Sequence, residues 1–316
     1  MLSFSSIELA YSVLKPVVHK TPLLSSRTFN EMTSNEVYFK AENFQRIGAF
    51  KFRGAYNKIA SLTGDERRRG VVAHSSGNHA QGVALAAKLF GMKAVIVMPY
   101  NSVAAKVDAT RGYGAEVVFC GTTIDEREKK TDELIRQHGY TLIHPYHDEQ
   151  LIAGQGTVVL EIFHDTKDLD YLFVPIGGGG LIYGCAVAAK NLFPGVKVIG
   201  VETEGANDAY QSFREKRIVK LTKVETIADG MRTSCVGDLN FEIIMKYVDD
   251  VVTISDDDII PMMKFFLERM KIVVEPTGAV APAALMRNVL HLRGKKVCAI
   301  ISGGNVDPEL LRKILQ

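Results

Sequence analysis

Short runs of apolar, mostly β-branched residues alternate along the chain with longer segments in which apolar residues recur every three or four positions. The short runs are uninterrupted, which is typical of strands buried on both faces of a parallel sheet. They predict strands at residues 37–41, 70–73, 93–98, 115–119, 141–144, 171–176, 197–201, 250–254 and 296–301. Helical spacing is clearest at residues 80–89, 126–136 and 257–270. Strands and helices in this alternation predict a doubly wound α/β fold.

The predicted strands between residues 70 and 144 follow one another closely and could form a smaller unit of their own. No linker rich in proline, glycine or serine separates them from the rest of the chain, so closely packed domains joined by short turns are expected. We predict a small domain over residues 61–145, inserted into a large domain formed by residues 1–60 and 146–316.

Composition narrows the classes of partner. The 316 residues include 38 basic and 36 acidic side chains, a formal net charge of +2, which gives no electrostatic basis for binding nucleic acid or a membrane surface. No apolar run approaches the length of about 20 residues that spans a bilayer, and the N-terminus does not resemble a signal peptide. The four cysteines are isolated, which favours a reducing, cytoplasmic compartment. A small molecule is the expected partner.

Four consecutive glycines, residues 177–180, stand between the predicted strand 171–176 and a helical segment that starts at Leu181. Backbone N–H groups of such a turn can converge on one point, and the helix N-terminus adds its positive end, so the turn suits a phosphate. A tight turn alone would need only one or two glycines. The dinucleotide and ATP fingerprints are both absent. The turn therefore indicates a site for a single phosphate.

Two further segments carry candidate chemistry. Residues 74–82, His-Ser-Ser-Gly-Asn-His-Ala-Gln-Gly, follow the strand at 70–73, where open α/β sheets bind ligands. Helix capping accounts for one of these polar residues but not for five in six. Lys51 lies between Phe50 and Phe52, where partial desolvation would lower the pKa of its amine and make it a nucleophile. Taken alone, Lys51 is more simply interpreted as a surface lysine at the start of a helix.

Together these features identify a family. The Gly-Ala-Phe-Lys-Phe-Arg-Gly-Ala segment at 48–55, the Ser-Ser-Gly-Asn-His loop and the glycine turn resemble the fold-type II pyridoxal-phosphate enzymes, which share the tryptophan synthase β fold. Within that group the chain is similar to the serine/threonine dehydratase and serine racemase family. Further matching motifs lie, in the family's order, at residues 21–24, 152–157, 225–230, 275–278 and 302–305.

The resemblance implies a cofactor site for pyridoxal 5'-phosphate. Lys51 would bind the cofactor covalently and serve as the base at the substrate Cα, and Phe50 would pack on one face of the ring. Asn78 would contact the ring hydroxyl, and Ser302 would form a hydrogen bond with the pyridine nitrogen. The residues expected to hold the cofactor phosphate are Gly177, Gly178, Gly179 and Gly180.

The same resemblance implies a substrate site and a metal site. Ser76 would lie on the face of the substrate Cα opposite Lys51. The residues expected to bind the substrate carboxylate are Ser75, Ser76, Gly77, Asn78 and His79. The ligands implied for a divalent cation are Glu202, the carbonyl oxygen of Ala206, and Asp208. Oxygen ligands suit Mg²⁺, Ca²⁺ or Mn²⁺, although the spacing alone would favour an ordinary solvated acidic turn.

The activity expected from the resemblance is that of an L-threonine/L-serine dehydratase, an ammonia-lyase that gives a 2-oxo acid and ammonia by Cα deprotonation and β-elimination. Serine racemisation and dehydration of threo-3-hydroxyaspartate are the alternatives. Ala49, where many relatives carry serine, resembles the hydroxyaspartate branch, whereas an aromatic residue at Tyr146 is more usual among dehydratases than among racemases. Such enzymes are commonly homodimers, with a tetramer also open.

Two other classes of protein are weighed against this one. The unbroken glycine turn argues against an enzyme of β-replacement, because that branch usually interrupts the run with threonine. A regulator that binds an amino acid without catalysis is the alternative outside enzymes, and the presence of both Lys51 and Ser76 argues against it.

Overall fold

The computed structural model describes residues 2–102 and 104–315. Its strands are β1 Leu23–Ser25, β2 Glu36–Ala41, β3 Val71–His74, β4 Ala94–Pro99, β5 Glu116–Cys120, β6 Thr141–Leu142, β7 Tyr171–Pro175, β8 Lys197–Thr203, β9 Asp250–Ile254 and β10 Lys296–Ile301. Its helices are α1 Phe4–Leu14, α2 Arg27–Thr33, α3 Lys51–Ala60, α4 Gly64–Arg69, α5 Asn78–Leu89, α6 Ala104–Gly112, α7 Ile124–His138, α8 Glu149–Asp165, α9 Gly180–Leu192, α10 Asp208–Glu215, α11 Asp238–Tyr247, α12 Asp256–Phe265, α13 Pro276–Met286 and α14 Pro308–Leu315.

The strands form two sheets with helices around them, an α/β architecture. The larger sheet has the order β1-β2-β10-β7-β8-β9 and the smaller one the order β5-β4-β3-β6. All neighbouring strands are parallel except β1, which pairs antiparallel with β2. The smaller sheet comes from residues between β2 and β7, as an inserted unit requires. The domain limits at 60/61 and 145/146 remain a prediction.

Successive side chains of the strands in the larger sheet pack alternately into two hydrophobic cores, one on each face of the sheet. Leu172 and Val174 of β7 belong to the core that includes α9, whereas Phe173 between them belongs to the core that includes α13. Successive side chains of a strand point to opposite faces, so a strand buried on both faces needs an uninterrupted apolar run. The pattern in the sequence therefore reflects burial on both sides.

Most predicted strands and helices begin and end within one or two residues of the observed ones. Two strands and one helix differ. The sequence pattern did not indicate β1, and the strand predicted at 141–144 is shortened to Thr141–Leu142. The helix predicted at 257–270 ends at Phe265 and continues as a π-helical turn over Phe266–Met270. The described residues include no helix long and apolar enough to cross a membrane.

The turns that follow five strands lie at the carboxyl ends of the two sheets. They are the segment 75–79 after β3, 143–148 after β6, 177–180 after β7, 204–207 after β8 and 302–307 after β10. Ligands of open α/β sheets bind at this edge. Most candidate residues predicted from the sequence lie in these segments. The others are Phe50 and Lys51 at the start of α3, Glu202 in β8 and Asp208 at the start of α10.

Candidate active site

Lys51 is the first residue of α3, and the start of this helix is tied to the end of β10. The backbone N–H of Phe50 donates to the carbonyl oxygen of Ser302 at 3.1 Å. The Nζ atom of Lys51 donates to the carbonyl oxygen of Pro145 at 2.8 Å and lies 5.3 Å from the centroid of the Phe50 ring. Burial lowers the pKa of Lys51 from 10.5 to about 8, because desolvation disfavours the charged amine. The amine therefore loses its proton near pH 8, well below the pH at which an exposed lysine does.

Ser302 stands directly after β10 and is almost completely buried. Its carbonyl oxygen holds Phe50, but its hydroxyl has no hydrogen-bond partner among the described residues. Leaving a buried hydroxyl without a partner costs about 1–3 kcal/mol. An orphaned hydroxyl next to the start of α3 is what a ligand with a polar ring atom would satisfy.

The glycine turn 177–180 connects β7 to α9 and is shaped by the absence of side chains. A Cβ atom on Gly178 would lie 2.2 Å from the Tyr146 ring, and one on Gly177 would lie 2.8 Å from the Gly230 carbonyl oxygen. Gly179 precedes α9 with a φ of 89°, in the left-handed region that favours glycine. Within the described chain, the N–H groups of Gly177, Gly178 and Gly179 donate to no protein acceptor. These donors at a helix N-terminus fit an anion such as phosphate.

The loop after β3 contains the Ser-Ser-Gly-Asn-His motif. The Ser75 hydroxyl accepts a hydrogen bond from the Gly77 N–H at 3.2 Å, and Ser76 and Gly77 are half-buried at the tip of the loop. His79, the second residue of α5, is buried, with Nε2 2.8 Å from the Ile143 carbonyl oxygen and Nδ1 without a partner in the described chain. Burial holds the pKa of His79 well below its usual value, so its imidazole is neutral.

Asn78 belongs to a chain of side-chain hydrogen bonds. Its Nδ2 atom donates to Glu275 at 2.6 Å, and its Oδ1 atom accepts from Asn305 at 2.8 Å. Burial raises the pKa of Glu275 to about 7, and its second oxygen has no partner among the described residues. A Cβ atom on Gly303 would touch both Glu275 and the Asn78 amide. Asn78 therefore lies next to the end of β10, close to Ser302.

The acidic turn after β8 is more buried than a solvated turn. Glu202 accepts hydrogen bonds from the N–H groups of Ala209 and Tyr210 at 3.1 and 2.6 Å. The Ala206 N–H donates to the Thr203 carbonyl. Asp208 is fully buried, and no basic side chain of the described chain pairs with its carboxylate. Burial raises the pKa of Asp208 to about 7. A bound cation would lower this pKa, because it favours the charged carboxylate.

Residues that the sequence did not single out complete the arrangement. Pro145 holds Lys51, Asn240 contacts the glycine turn, and Glu275 holds Asn78. Glu275 lies in the Glu-Pro-Thr-Gly motif at 275–278, which is one of the motifs that match the family but implied no role for this residue. No local sequence signal marks the other two residues.

The donor set fits pyridoxal phosphate. A partly desolvated lysine suits a carbonyl carbon, the N–H groups of the glycine turn suit a phosphate, and the unpartnered Ser302 hydroxyl suits a ring nitrogen. Direct contacts link Lys51 to the glycine turn. Lys51 donates to the carbonyl oxygen of Pro145, and the next residue, Tyr146, packs on Gly178. The geometry therefore describes a cofactor site.

Comparison with known proteins gives the same class. The model of the family described as pyridoxal-phosphate dependent enzyme matches residues 14–303. The chain belongs to this family, with the fold-type II architecture.

Relatives narrow the group further. The chain is 49% identical to the L-threo-3-hydroxyaspartate ammonia-lyase of Saccharomyces cerevisiae, over 93% of this chain and 90% of the relative. It is 46% identical to the L-threonine ammonia-lyase of Thermotoga maritima, over 100% of this chain and 78% of the relative. The solved structure of maize serine racemase superposes with a TM-score of 0.96 at 40% identity, covering 99% of this chain and 97% of that one. The relatives thus carry the activity expected from the sequence and both of its alternatives.

Proposed function

We propose that the chain is an ammonia-lyase that dehydrates L-threonine and L-serine with pyridoxal phosphate as its cofactor. The observation that carries the proposal is the Lys51 amine, held by the Pro145 carbonyl with a pKa of about 8 in the same site as the glycine turn. Lys51 would bind the cofactor, the glycine turn its phosphate, and Ser302 its ring nitrogen. Phe50 lies close enough to Lys51 to pack on the cofactor ring.

Bound pyridoxal phosphate supplies an electron sink that makes the proton on the substrate Cα acidic. Lys51 removes this proton, because its lowered pKa leaves a neutral amine that can act as a base near pH 8. The electron pair of the broken Cα–H bond forms a Cα=Cβ double bond, and the β-hydroxyl group takes up a proton and leaves as water. The unsaturated amine then reacts with water to give a 2-oxo acid and ammonia. Asn78 keeps one Nδ2 hydrogen free of the Glu275 contact, which supports its expected role at the cofactor ring hydroxyl.

Ser75, Ser76, Gly77, Asn78 and His79 bind the substrate carboxylate in this proposal. The loop is held in shape by the contact of Ser75 with Gly77 and by the His79 contact with Ile143. His79 contributes no charge, since burial keeps its imidazole neutral. Recognition of the carboxylate therefore relies on hydroxyl and N–H groups and not on a charged side chain.

A specific observation favours threo-3-hydroxyaspartate as a second substrate. Arg127 on α7 is half-buried and forms no ion pair within the described residues. Burial, and after it the charge of Arg127, lower the pKa of His74, which directly precedes Ser75, to about 4. A substrate with a second carboxylate would provide the missing partner, in agreement with Ala49 and with the yeast relative.

A divalent cation at Glu202, Ala206 and Asp208 is also part of the proposal. The buried carboxylate of Asp208 supports it, because no basic side chain of the described residues pairs with it and a cation would compensate its charge. The cation would hold the turn after β8, and its role would be structural. Mg²⁺, Ca²⁺ and Mn²⁺ all suit the oxygen ligands.

A homodimer is proposed as the working assembly. Light scattering coupled to size-exclusion chromatography would measure its mass.

Release of 2-oxo acid from L-threonine, L-serine and L-threo-3-hydroxyaspartate, with D-serine formation followed in parallel, tests the proposed function. We expect turnover of L-threonine and L-serine that depends on added pyridoxal phosphate. A higher kcat/KM for hydroxyaspartate would make the second substrate the principal one. Tight amino-acid binding without any turnover would contradict the enzyme and support a regulator.

A further inference from the structure

Asn240 on α11 is a buried amide that joins two distant parts of the active site. Its Nδ2 atom donates to the Gly178 carbonyl oxygen at 2.5 Å and to the Tyr146 carbonyl oxygen at 3.1 Å. The side chain is fully buried, and its Oδ1 atom has no partner among the described residues. Rotating the amide by 180° would place Oδ1 against two carbonyl oxygens, so chemistry fixes the orientation with both N–H groups toward the carbonyls.

The first contact sets the direction of a donor in the glycine turn. In a trans peptide the C=O and N–H groups point in opposite directions, and the described chain has no cis peptide bond. Holding the Gly178 carbonyl toward Asn240 therefore points the N–H of Gly179 to the other side of the turn. A peptide between two glycines rotates with little steric resistance. Without Asn240, this donor would have no fixed direction.

The outer side of the glycine turn is filled by protein. A Cβ atom on Gly179 would lie 3.0 Å from Asn240 Cβ, and one on Gly178 would lie 2.2 Å from the nearest atom of the Tyr146 ring. Since Asn240 and Tyr146 cover that side, the N–H of Gly179 points away from both of them.

The second contact connects the turn to the lysine. Tyr146 follows Pro145, whose carbonyl oxygen accepts the hydrogen bond from Lys51. One amide group thus fixes both the segment that would hold the cofactor phosphate and the segment that positions the reactive amine. These are the two ends of the same small ligand.

We propose that Asn240 is a positioning residue that orients the Gly179 N–H toward the cofactor phosphate. The inference rests on the proposed function, because it takes pyridoxal phosphate as the occupant of the turn. It assigns Asn240 no contact with substrate or with reacting atoms. Its effect through Gly179 is therefore absent from ligands that lack the phosphate, whereas its contact with Tyr146 acts on ligands with and without the phosphate.

Two titrations of the cofactor-free protein test the inference. Visible absorbance gives the Kd for pyridoxal phosphate and for pyridoxal, which lacks the phosphate, in the parent, Asn240→Asp and Asn240→Ala. Losing one oriented hydrogen bond to a charged group corresponds to a change on the order of 10- to 100-fold. We expect the Kd for pyridoxal phosphate to rise by this factor in both variants, while the Kd for pyridoxal, which only the Tyr146 contact affects, rises by a clearly smaller factor. Asn240→Ala introduces no charge and serves if the buried carboxylate of Asn240→Asp prevents folding.

Asn35→Asp is the matched control. The Nδ2 atom of Asn35 also donates to two carbonyl oxygens, those of Thr33 and Leu292 at 2.8 and 3.0 Å, in a buried position outside the active site. It should lower the Tm without changing either Kd. An unchanged Kd for pyridoxal phosphate in a folded Asn240 variant, or an equal rise for both ligands, would overturn the inference. Failure of the parent itself to bind pyridoxal phosphate would instead contradict the proposed function.

Discussion

The guanidinium of Arg53 and the carboxylate of Glu161 are joined by two hydrogen bonds, of 2.7 and 2.9 Å, in the interior of the protein. Arg53 also donates to Glu42 at 2.7 and 2.8 Å, and Lys40 donates to Glu161 at 2.6 Å. All four side chains are almost completely buried. The cluster fixes α3 against α8, and Lys51 is the first residue of α3. The position of the reactive lysine thus depends on a charge cluster outside the site.

Glu161→Gln should lower the free energy of unfolding by about 3 kcal/mol near neutral pH, because it leaves buried positive charge without its partner. Burial raises the pKa of Glu161, but Arg53 and Lys40 outweigh it and hold the pKa below its usual value. The advantage of the parent should therefore be complete above the usual glutamate pKa and shrink as the pH falls below it. Urea unfolding across pH measures both effects.

Asp165→Asn is the control for this prediction, since Asp165 lies on the same helix and pairs with the exposed Lys20. Exposed pairs contribute about 0–1 kcal/mol. Equal losses in the two variants would show that the buried cluster contributes no more than a surface ion pair.

Lys51→Met should abolish turnover and the visible absorbance of the lysine-bound cofactor, yet stabilise the cofactor-free protein below pH 8. The pKa of Lys51 falls from 10.5 to about 8 on folding, so folding is opposed while both states are protonated and this cost fades between pH 8 and 10.5. The shift corresponds to about 3 kcal/mol. Thermal unfolding at pH 7 and at pH 10.5 measures the gain and its disappearance.

Lys58→Met on the same helix is the matched variant, because Lys58 pairs with Asp148 at 2.7 Å. It should show neither the gain in stability nor the loss of cofactor absorbance. A stability gain for Lys51→Met that persists unchanged at pH 10.5 would mean that desolvation of the charged amine is not its cause.

Ser302→Ala should have opposite effects on the protein without and with cofactor. Removing a buried hydroxyl that has no partner should leave the cofactor-free protein equally stable or raise its unfolding free energy by about 1 kcal/mol. The same change should weaken the binding of pyridoxal phosphate, since the ring nitrogen loses its partner. Calorimetry on both forms measures the two signs.

Ser212→Ala provides the comparison, because the Ser212 hydroxyl is buried and hydrogen bonded to the Asp208 carbonyl and the Val219 N–H. This variant should be destabilised in both forms. A destabilised cofactor-free Ser302→Ala would indicate that the hydroxyl has a protein partner after all.

Chelation should lower the Tm of the parent if the turn after β8 binds a divalent cation. At 100 times the dissociation constant, a ligand of the folded state contributes about 2.7 kcal/mol. Asp208→Asn should lose most of the response to chelator, whereas Glu204→Gln, in the same turn but exposed, should keep it. An equal response of Asp208→Asn and the parent would exclude Asp208 as a ligand.

The sequence predicted the parts of this protein whose cause is local. Runs such as 94–99 are apolar because both faces of β4 are buried, and an uninterrupted apolar run is visible in the residues themselves. The short edge strand β1 is only half-buried and leaves no such run, and the π-helical turn after α12 changes the hydrogen bonding without changing the apolar spacing.

The same division holds in the active site. The motif around Lys51 and the glycine turn were identified from contiguous residues. The hydrogen bonds that position them join residues 94 apart for Lys51 and Pro145, 62 apart for Asn240 and Gly178, and 108 apart for Arg53 and Glu161. A single asparagine or glutamate carries no local signal of such a contact, because the contact exists only after the strands and helices have packed.

Ser76→Ala should separate racemisation from elimination. Racemisation needs an acid on the face of Cα opposite Lys51 so that a proton returns with inverted configuration, whereas elimination from an L-amino acid needs only the base at Lys51. General acid–base groups contribute about 10²- to 10⁴-fold, so D-serine formation and elimination from D-serine should fall by a factor in this range. Elimination from L-threonine and L-serine should fall much less, by whatever positioning the hydroxyl supplies.

Ser75→Ala is the control, since it removes the contact with the Gly77 N–H but keeps the Ser76 hydroxyl. Chiral chromatography of serine and an assay of 2-oxo acid measure the two reactions on one sample. Survival of D-serine formation at the parental rate would exclude Ser76 as the second acid–base group, and an equal loss of both reactions would make its role structural.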